Sequence, residues 1–408
     1  LELYQFYITK SDKVMRILQI LPSISLVYGG PSQMVLGLST ALAAQNIDVT
    51  ILTTDSNGDT GQPPLDVPLD RPVKQNGYQI RYFRCSPFRR YKFSLQLLQW
   101  LNQHTTEFDL AHIHALFSPV TTIAATVARK NNLPYILRPL GTLDPADLRK
   151  KKQLKKIYVS LIEKRNIAHA AALHFTTTQE AKISERFGLF TKDLVIPLGV
   201  NHPENMRDEN LVNCLQSQGI EVKHPMILFM SRIEPKKGLN LLLPALEKLL
   251  AQGVNFQFIL AGANPQDPNY EAQIHSQIKA SPIAKFTKIT GFVTGEIKTS
   301  LLRIADLFVL PSYYENFGIA VAEAMVAGTP VVISDQVYIC QDVASAEAGW
   351  VGCCKIEDMA TLIKLALQDE AERKRRGLNA QELAKNNYSW QAIATQTIQA
   401  YEKIMAYK

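Results

Sequence analysis

The sequence predicts an α/β protein built from two doubly wound halves, and three observations lead there. Short unbroken apolar runs, such as LFVL at 307–310 and MILFM at 226–230, are too brief for helices and suit strands buried on both faces. Helix-period patterns alternate with these runs along the chain, the order that produces parallel sheets. A polar, weakly periodic stretch over 202–224 divides one alternating series from the other. The expected layout is a first domain over 14–200, a linker over 201–224, a second domain over 225–387 and a C-terminal helical segment over 388–408.

Residues 1–13 show no pattern, so order is expected to begin near Val14, with Met15 as a candidate initiator. A strand over 15–21 hands over to a helix over 34–45 through a loop containing Gly29 and Gly30. Paired glycines let backbone approach a phosphate closely, although a simple turn needs the same pair. The pattern is not G-x-G-x-x-G, which counts against a nicotinamide dinucleotide. Strands follow over 48–54 and 78–83, separated by a Gly-, Pro- and Asp-rich loop over 55–77, and a helix begins over 95–101. The strand at 109–114 ends in HIH, and alternation puts His112 and His114 on one face. His114 ends the strand on the crevice side and is the candidate for a ligand contact; a purely structural histidine is the alternative. After a strand over 135–137 comes RPLGTLDP, then a basic segment from Arg149 to Arg165 with eight cationic side chains among seventeen. That segment reads either as a solvated surface helix or as a cationic, partly apolar helix on an anionic lipid surface. A strand over 173–176, a helix over 177–188 and a strand over 194–197 complete the first half.

In the second half, the strand 226–230 runs into the basic loop SRIEPKKG and a helix over 239–251, with Arg232 and Lys237 flanking the loop. Strands are expected over 256–260 and 288–292, with Val293 next. The most informative stretch is ADLFVLPSYYENFGIAVAEAMVAGTPVVIS at 305–334. It reads as a strand over 307–310, a polar loop, a helix over 319–327 closed by Gly328, and a strand over 329–333. Loops after parallel strands open onto the crevice where open α/β sheets bind ligands. The first amides of that helix, near Asn316, Phe317, Gly318 and Ile319, favour an anion. Helical side chains lean toward the N-terminus, so Glu323 reaches back to the crevice that Glu315 enters. Amides for an anion beside two carboxylates for hydroxyls suit a phosphorylated polyhydroxy ligand, of which a sugar nucleotide is the simplest. Two solvated surface carboxylates are the alternative. Helices over 359–367, 370–385 and 390–405 end the chain.

Composition bounds the rest. The chain of 408 residues is 46% hydrophobic and 20% charged, ordinary for a soluble globular protein of two or three domains. Its net charge of +7 comes without a nucleic-acid motif, so no nucleic-acid partner is expected. Five cysteines without C-x-x-C spacing argue for a reducing compartment and against structural zinc. With no run of 18 apolar residues and no leader-like N-terminus, the expectation is a cytoplasmic protein, peripheral at the inner face of the plasma membrane through the basic segment.

The two glutamates of 305–334, in the context ENFG and EAMVAGTPVV, resemble the E-x7-E signature of the family 4 retaining glycosyltransferases. Their fold is GT-B, two Rossmann-like doubly wound parallel-sheet domains facing an interdomain cleft. Similar motifs run in order over about residues 15–405. The resemblance implies that the Gly29–Gly30 amides face the donor phosphate and that His114 lies near the transferred sugar. Arg232 and Lys237 would bind the donor diphosphate, with Ser231 standing where the family's loop has its first glycine. Glu315 would hold sugar hydroxyls and Glu323 the ribose, while the backbone of Phe292 and Val293 would meet the nucleobase. Gly199, in PLGVN, matches the family's element at the domain junction and joins the donor-binding set with Asn316, Phe317, Gly318 and Ile319. Arg138, Gly141 and Thr142 resemble the acceptor-side loop, although Leu140-Gly141 replaces the His-Gly pair of many members. The catalytic set implied is His114, Arg232, Lys237 and Glu315.

The same resemblance implies a retaining, metal-independent transfer of a hexosyl type from a nucleotide-diphosphate sugar, with no other cofactor; no D-x-D pattern is present. The GGPSQMVLGLSTAL and GTLDP strings are similar to bacterial surface-polysaccharide transferases, which implies a saccharide or lipid-linked saccharide acceptor. Three alternatives stay open. A non-hydrolysing sugar-nucleotide epimerase needs acid and base side chains that the sequence does not identify. A glycogen-phosphorylase-like enzyme needs a pyridoxal lysine and a longer chain. A membrane-associated scaffold would keep the fold without catalysis.

Overall fold

A computed structural model describes residues 14–58, 62–86, 92–149, 158–202, 207–222 and 225–406. Contacts divide the chain into two compact units. One holds the chain up to Phe175, Ala181–Ile196 and the residues from Ala394 onward; the other holds Thr176–Glu180 and Pro197–Ile393.

The first unit is built on an eight-stranded sheet. Its strands are β1 (Arg16–Ser23), β2 (Asp48–Thr54), β3 (Pro72–Gln75), β4 (Tyr78–Phe83), β5 (Leu110–His114), β6 (Tyr135–Arg138), β7 (Ala172–Phe175) and β8 (Asp193–Val195). Their spatial order is β3-β4-β2-β1-β5-β6-β7-β8, parallel throughout except for the antiparallel β3–β4 pair. The central strands are apolar because helices cover them, so Leu18, Ile20, Leu52 and Ile113 lie in one core with Leu97 and Leu101 of the helix Leu95–His104. Ala124, Ala125 and Ala128 of the helix Pro119–Lys130 join the same core; their short side chains let that helix lie close to the sheet. Each buried Leu or Ile contributes about 1.5–3 kcal/mol of transfer free energy, offset by chain entropy.

The second unit carries six parallel strands: β9 (Met226–Met230), β10 (Gln257–Ala261), β11 (Thr287–Gly291), β12 (Leu307–Leu310), β13 (Val331–Ser334) and β14 (Gly349–Gly352). Their order is β11-β10-β9-β12-β13-β14. The helix Leu239–Ala251 buries Leu239, Leu242, Leu246 and Leu249, one apolar stripe at helical spacing. In both units the chain winds outward from one central strand and then reverses, at β1/β5 in the first and at β9/β12 in the second.

Three expectations need correction or restriction. The linker over 201–224 is not a linker: Asp208–Ser217 is a helix packed on the helix Gly295–Ile304. Leu211 and Leu215, one turn apart, are fully buried with Ile220, and the polar residues around them masked that short stripe. The loop over 55–77 contains β3, an edge strand whose Pro72 sits at its first position, where a missing N–H is tolerated. Residues 150–157 of the basic segment lie outside the described residues. Its described remainder ends the helix Pro145–Arg149, then forms a π-helical turn over Val159–Glu163 and a helix over Lys164–Ala168. There Val159, Glu163, Asn166 and Ile167 are buried while Leu161 and Ile162 are exposed, so this part has a packed face rather than solvent all round. The C-terminal helix, Trp390–Ala406, is continuous, and its Tyr401 hydroxyl meets Gln19 and His112 within the first unit.

Candidate active site

In an open parallel sheet, ligands bind beyond the carboxyl ends of the strands where the winding reverses. In the second unit that place lies between β9 and β12, and the loops that follow these two strands are the ones singled out from sequence.

Backbone contacts bring the loops together. Gly238 sits at φ +76°, and a Cβ on it would lie 2.0 Å from the Pro311 carbonyl oxygen, so only glycine allows this approach. The Tyr313 amide donates to the Lys236 carbonyl at 2.8 Å. On the other side, the Glu315 amide donates to Gln336 at 3.0 Å and Tyr338 donates back to Glu315 at 3.0 Å. Gly262, which had no sequence signal of its own, does the same for Ser231: a Cβ there would meet the Ser231 oxygen at 1.9 Å.

Lys237 and Glu315 therefore meet, Nζ to Oε2, at 2.6 Å, with Lys237 only 7% exposed. Burial pulls the Lys237 ammonium below its ordinary range, opposed by the Glu315 carboxylate. Arg232 behaves differently. Its side chain is 56% exposed and pairs with Glu234 at 2.7 Å, which leaves Lys237 as the buried cation of the loop.

The loop ahead of the helix Ile319–Val326 turns at Gly318, where φ is +82° and a Cβ would come within 3.0 Å of Val337. No side chain caps that helix, so its first-turn amides point outward. Phe317 faces the other way, packed edge-on against Tyr388 at 5.2 Å, so its side chain is structural. Glu323 stands one turn into the helix and pairs with Lys298 at 2.6 Å. Lys298 was not found from sequence, because it is a single lysine in an otherwise ordinary amphipathic helix. Phe292 is 79% exposed just beyond β11, and Val293 follows it. Gly199 has a packing reason, since a Cβ there would lie 2.2 Å from the Trp390 ring.

In the first unit the reversal lies at β1/β5. Gly29 ends a 3-10 turn with φ +68°, and the helix Gly30–Ala43 starts directly after it, its N-cap lacking a side-chain bond. His114 ends β5, stacked on His112 with ring centroids 4.5 Å apart, as their shared face requires. Both are fully buried. His114 Nε2 lies 2.6 Å from Gln19 Oε1, and its Nδ1 has no hydrogen-bond partner. Burial, reinforced by the Arg138 charge and nearby histidines, holds both imidazoles well below the usual range. Arg138 is buried at the end of β6 and donates to the Met34 sulfur at 3.3 Å. Gly141 and Thr142 lie in the turn that follows, where the Thr142 hydroxyl donates to the Pro139 carbonyl at 2.7 Å. Among the described residues, no three His, Cys, Asp or Glu side chains are placed to hold a metal ion, and no helix is long and apolar enough to cross a membrane.

Residues 29–199 match the glycosyl transferase 4-like domain, and residues 214–383 match the glycosyl transferases group 1 domain. The chain belongs to the family 4 glycosyltransferases. An uncharacterised glycosyltransferase of Methanocaldococcus jannaschii is 32% identical over 52% of this family 4 chain and 54% of its own, so the match spans about half of that relative. The phosphatidyl-myo-inositol mannosyltransferase of Mycolicibacterium smegmatis is 26% identical over 96% of this chain and 94% of its own. The GT-B fold is shared with solved structures. Sucrose-phosphate synthase of Thermosynechococcus elongatus superposes with a TM-score of 0.71 at 21% identity, covering 97% of this chain and 100% of that one. Anabaena HepE in complex with UDP-glucose gives 0.73 at 18% identity, covering 95% and 100%.

Proposed function

We propose that the chain transfers a sugar from a nucleotide-diphosphate sugar to a saccharide or lipid-linked saccharide, with retention at the anomeric carbon and without a divalent metal. The observation that carries this reading is the buried Lys237 paired with Glu315 beside an uncapped helix N-terminus at the β9/β12 reversal. The demanding step is expulsion of a nucleoside diphosphate, which needs fixed positive charge where negative charge develops. Lys237 and Arg232 supply cations, and the amides from Asn316 to Ile319 supply an anion-facing helix end. Once a diphosphate neutralises Lys237, Glu315 is released to accept hydroxyl donors from the sugar, and Glu323 holds the ribose. The backbone at Phe292 and Val293 faces the base. In the first unit, the Gly29–Gly30 turn offers further amides, His114 faces a substrate hydroxyl, and Arg138, Gly141 and Thr142 serve the acceptor.

The relatives support this direction. A mannosyltransferase acting on phosphatidyl-myo-inositol is among them, and a UDP-glucose complex is among the structures sharing the fold. A lipid-linked saccharide used in surface-polysaccharide assembly fits the former and the exposed Leu161 and Ile162 beside the basic segment.

The test is a thermal-shift series with UDP, GDP, ADP and TDP and their sugars in EDTA, followed by transfer to saccharide and polyprenyl-diphosphate acceptors. Selective stabilisation by one base, lost in Lys237→Ala, is the expected result. Retention is read from the anomeric proton coupling of the first product. An inverted product, or activity abolished by EDTA and restored by magnesium, would overturn the corresponding part. No stabilisation by any nucleotide would favour the scaffold.

A further inference from the structure

The buried polar chain that ends at His114 fixes which of its nitrogens carries the proton. It starts at the Ile196 carbonyl, which can only accept. His174 Nε2 lies 2.9 Å from it and must be the N–H donor. Burial holds the His174 imidazole neutral, with a pKa pushed down to about 3, so its Nδ1 is a bare acceptor. The 3.1 Å contact from His174 Nδ1 to His112 Nε2 then requires the proton on His112 Nε2. His112 is neutral as well, which leaves its Nδ1 to accept from the Tyr401 hydroxyl at 2.8 Å. With its proton committed, the Tyr401 oxygen accepts from Gln19 Nε2 at 3.1 Å. Gln19 Oε1 therefore faces His114, and the 2.6 Å contact places the proton on His114 Nε2.

We infer that Tyr401 and Gln19 are positioning residues that lock His114 as the Nε2–H tautomer, so that its buried, unpartnered Nδ1 is an acceptor reserved for an O–H or N–H donor of a ligand. Each link has one allowed direction, because each neutral imidazole has one donor and one acceptor and the Ile196 carbonyl fixes the chain at one end. The locked tautomer excludes His114 as a hydrogen-bond donor to a substrate oxygen through Nδ1. It makes the residue selective: a ligand that presents a hydroxyl completes the network, and its deoxy counterpart leaves a buried lone pair unmatched. That the hydroxyl belongs to a sugar substrate rests on the glycosyl-transfer reading; the tautomer does not.

The tautomer is measured directly by long-range proton–nitrogen correlation on the full chain labelled with nitrogen-15 histidine, with Histidine 114 signals identified by their loss in His114→Gln. The expected native pattern is a pyridine-type Nδ1 and a pyrrole-type Nε2 for that residue, with no nucleotide added. In Tyr401→Phe, Gln19 loses its partner and can rotate its amide, so the His114 pattern is expected to become a mixture. Adding Gln19→Glu to Tyr401→Phe presents an acceptor to His114 in either rotamer and is expected to restore the proton on Nε2. A native Nδ1–H form or an imidazolium at His114 overturns the proposal, and so does a His114 pattern unmoved in Tyr401→Phe. If Tyr401→Phe fails to fold, the native spectrum alone still decides. Should the protein prove inactive as a transferase, the tautomer result stands apart. Should it be active, Tyr401→Phe is expected to lower kcat/KM about tenfold for the natural sugar, the worth of one hydrogen bond, while leaving its deoxy analogue nearly unchanged.

Discussion

A buried ammonium depends on its carboxylate partner, and the Lys237–Glu315 contact makes the cost of breaking it visible. Lys237→Ala leaves Glu315 without its cation in a half-closed site. The expected result is loss of 10²–10³ in kcat/KM, on the order of what one charge-stabilising group contributes, together with a lower urea midpoint. Adding Glu315→Gln to Lys237→Ala is expected to recover the midpoint and not the rate; recovery of both would remove Lys237 from the chemistry. Glu323 invites a parallel test, since Lys298→Ala frees its carboxylate from a 2.6 Å partner. Nucleotide affinity, measured by calorimetry, is expected to rise several-fold if the ion pair competes with the ribose for Glu323, on the order of the worth of one partly exposed pair. Lys237, Glu315 and Glu323 were legible because they sit in, or one helical turn beyond, loops with strong local patterns. Lys298 was not, because a single lysine in GEIKTSLLRI carries no signal until the helix is placed beside its neighbour.

At the scale of elements, strand and helix signals were clear wherever apolar runs were dense. β2, β4, β9 and β12 and the helix Leu239–Ala251 were read with the bounds they have. Several of the missed elements share a physical cause, which is that few apolar side chains mark them. β14 is GWVG, β3 is a largely exposed edge strand, and the helix Asp208–Ser217 is anchored by Leu211 and Leu215 with a polar remainder. Leu211→Ala and Leu215→Ala are each expected to cost about 2–5 kcal/mol by chemical denaturation, as fully buried leucines do. A cost near zero would restore the linker reading. Gly238→Ala is expected to be worse for activity than for secondary structure, because the added methyl pushes the Lys237 loop away from Pro311. Unchanged circular dichroism with a rate reduced at least tenfold, one to a few kcal/mol of strain, is the outcome to look for.

For the molecule as a whole, three buried neutral histidines set a dependence on acidity. Their pKa values lie below the ordinary 6.5 in the fold, so below about pH 6.5 the unfolded chain binds more protons than the native one. Stability of the first unit is thus full above that pH and falls as the solution is acidified, by up to about 1.4 kcal/mol per pH unit for each histidine. Glu163, whose carboxyl is pushed up by burial, acts in the opposite direction at lower pH. Calorimetry of the native chain from pH 7.5 to 5.5 should show the transition falling steadily, and His174→Asn should flatten the slope by about one third of the histidine contribution. The partners of those histidines also have a history in time. Tyr401 closes contacts with Gln19 and His112, 382 and 289 positions earlier, so a ribosome delivers it long after the strands it meets. Until then His112 Nδ1 and the Gln19 amide nitrogen lack their partner, so the first unit stays incomplete until the chain has been made through the whole of the second.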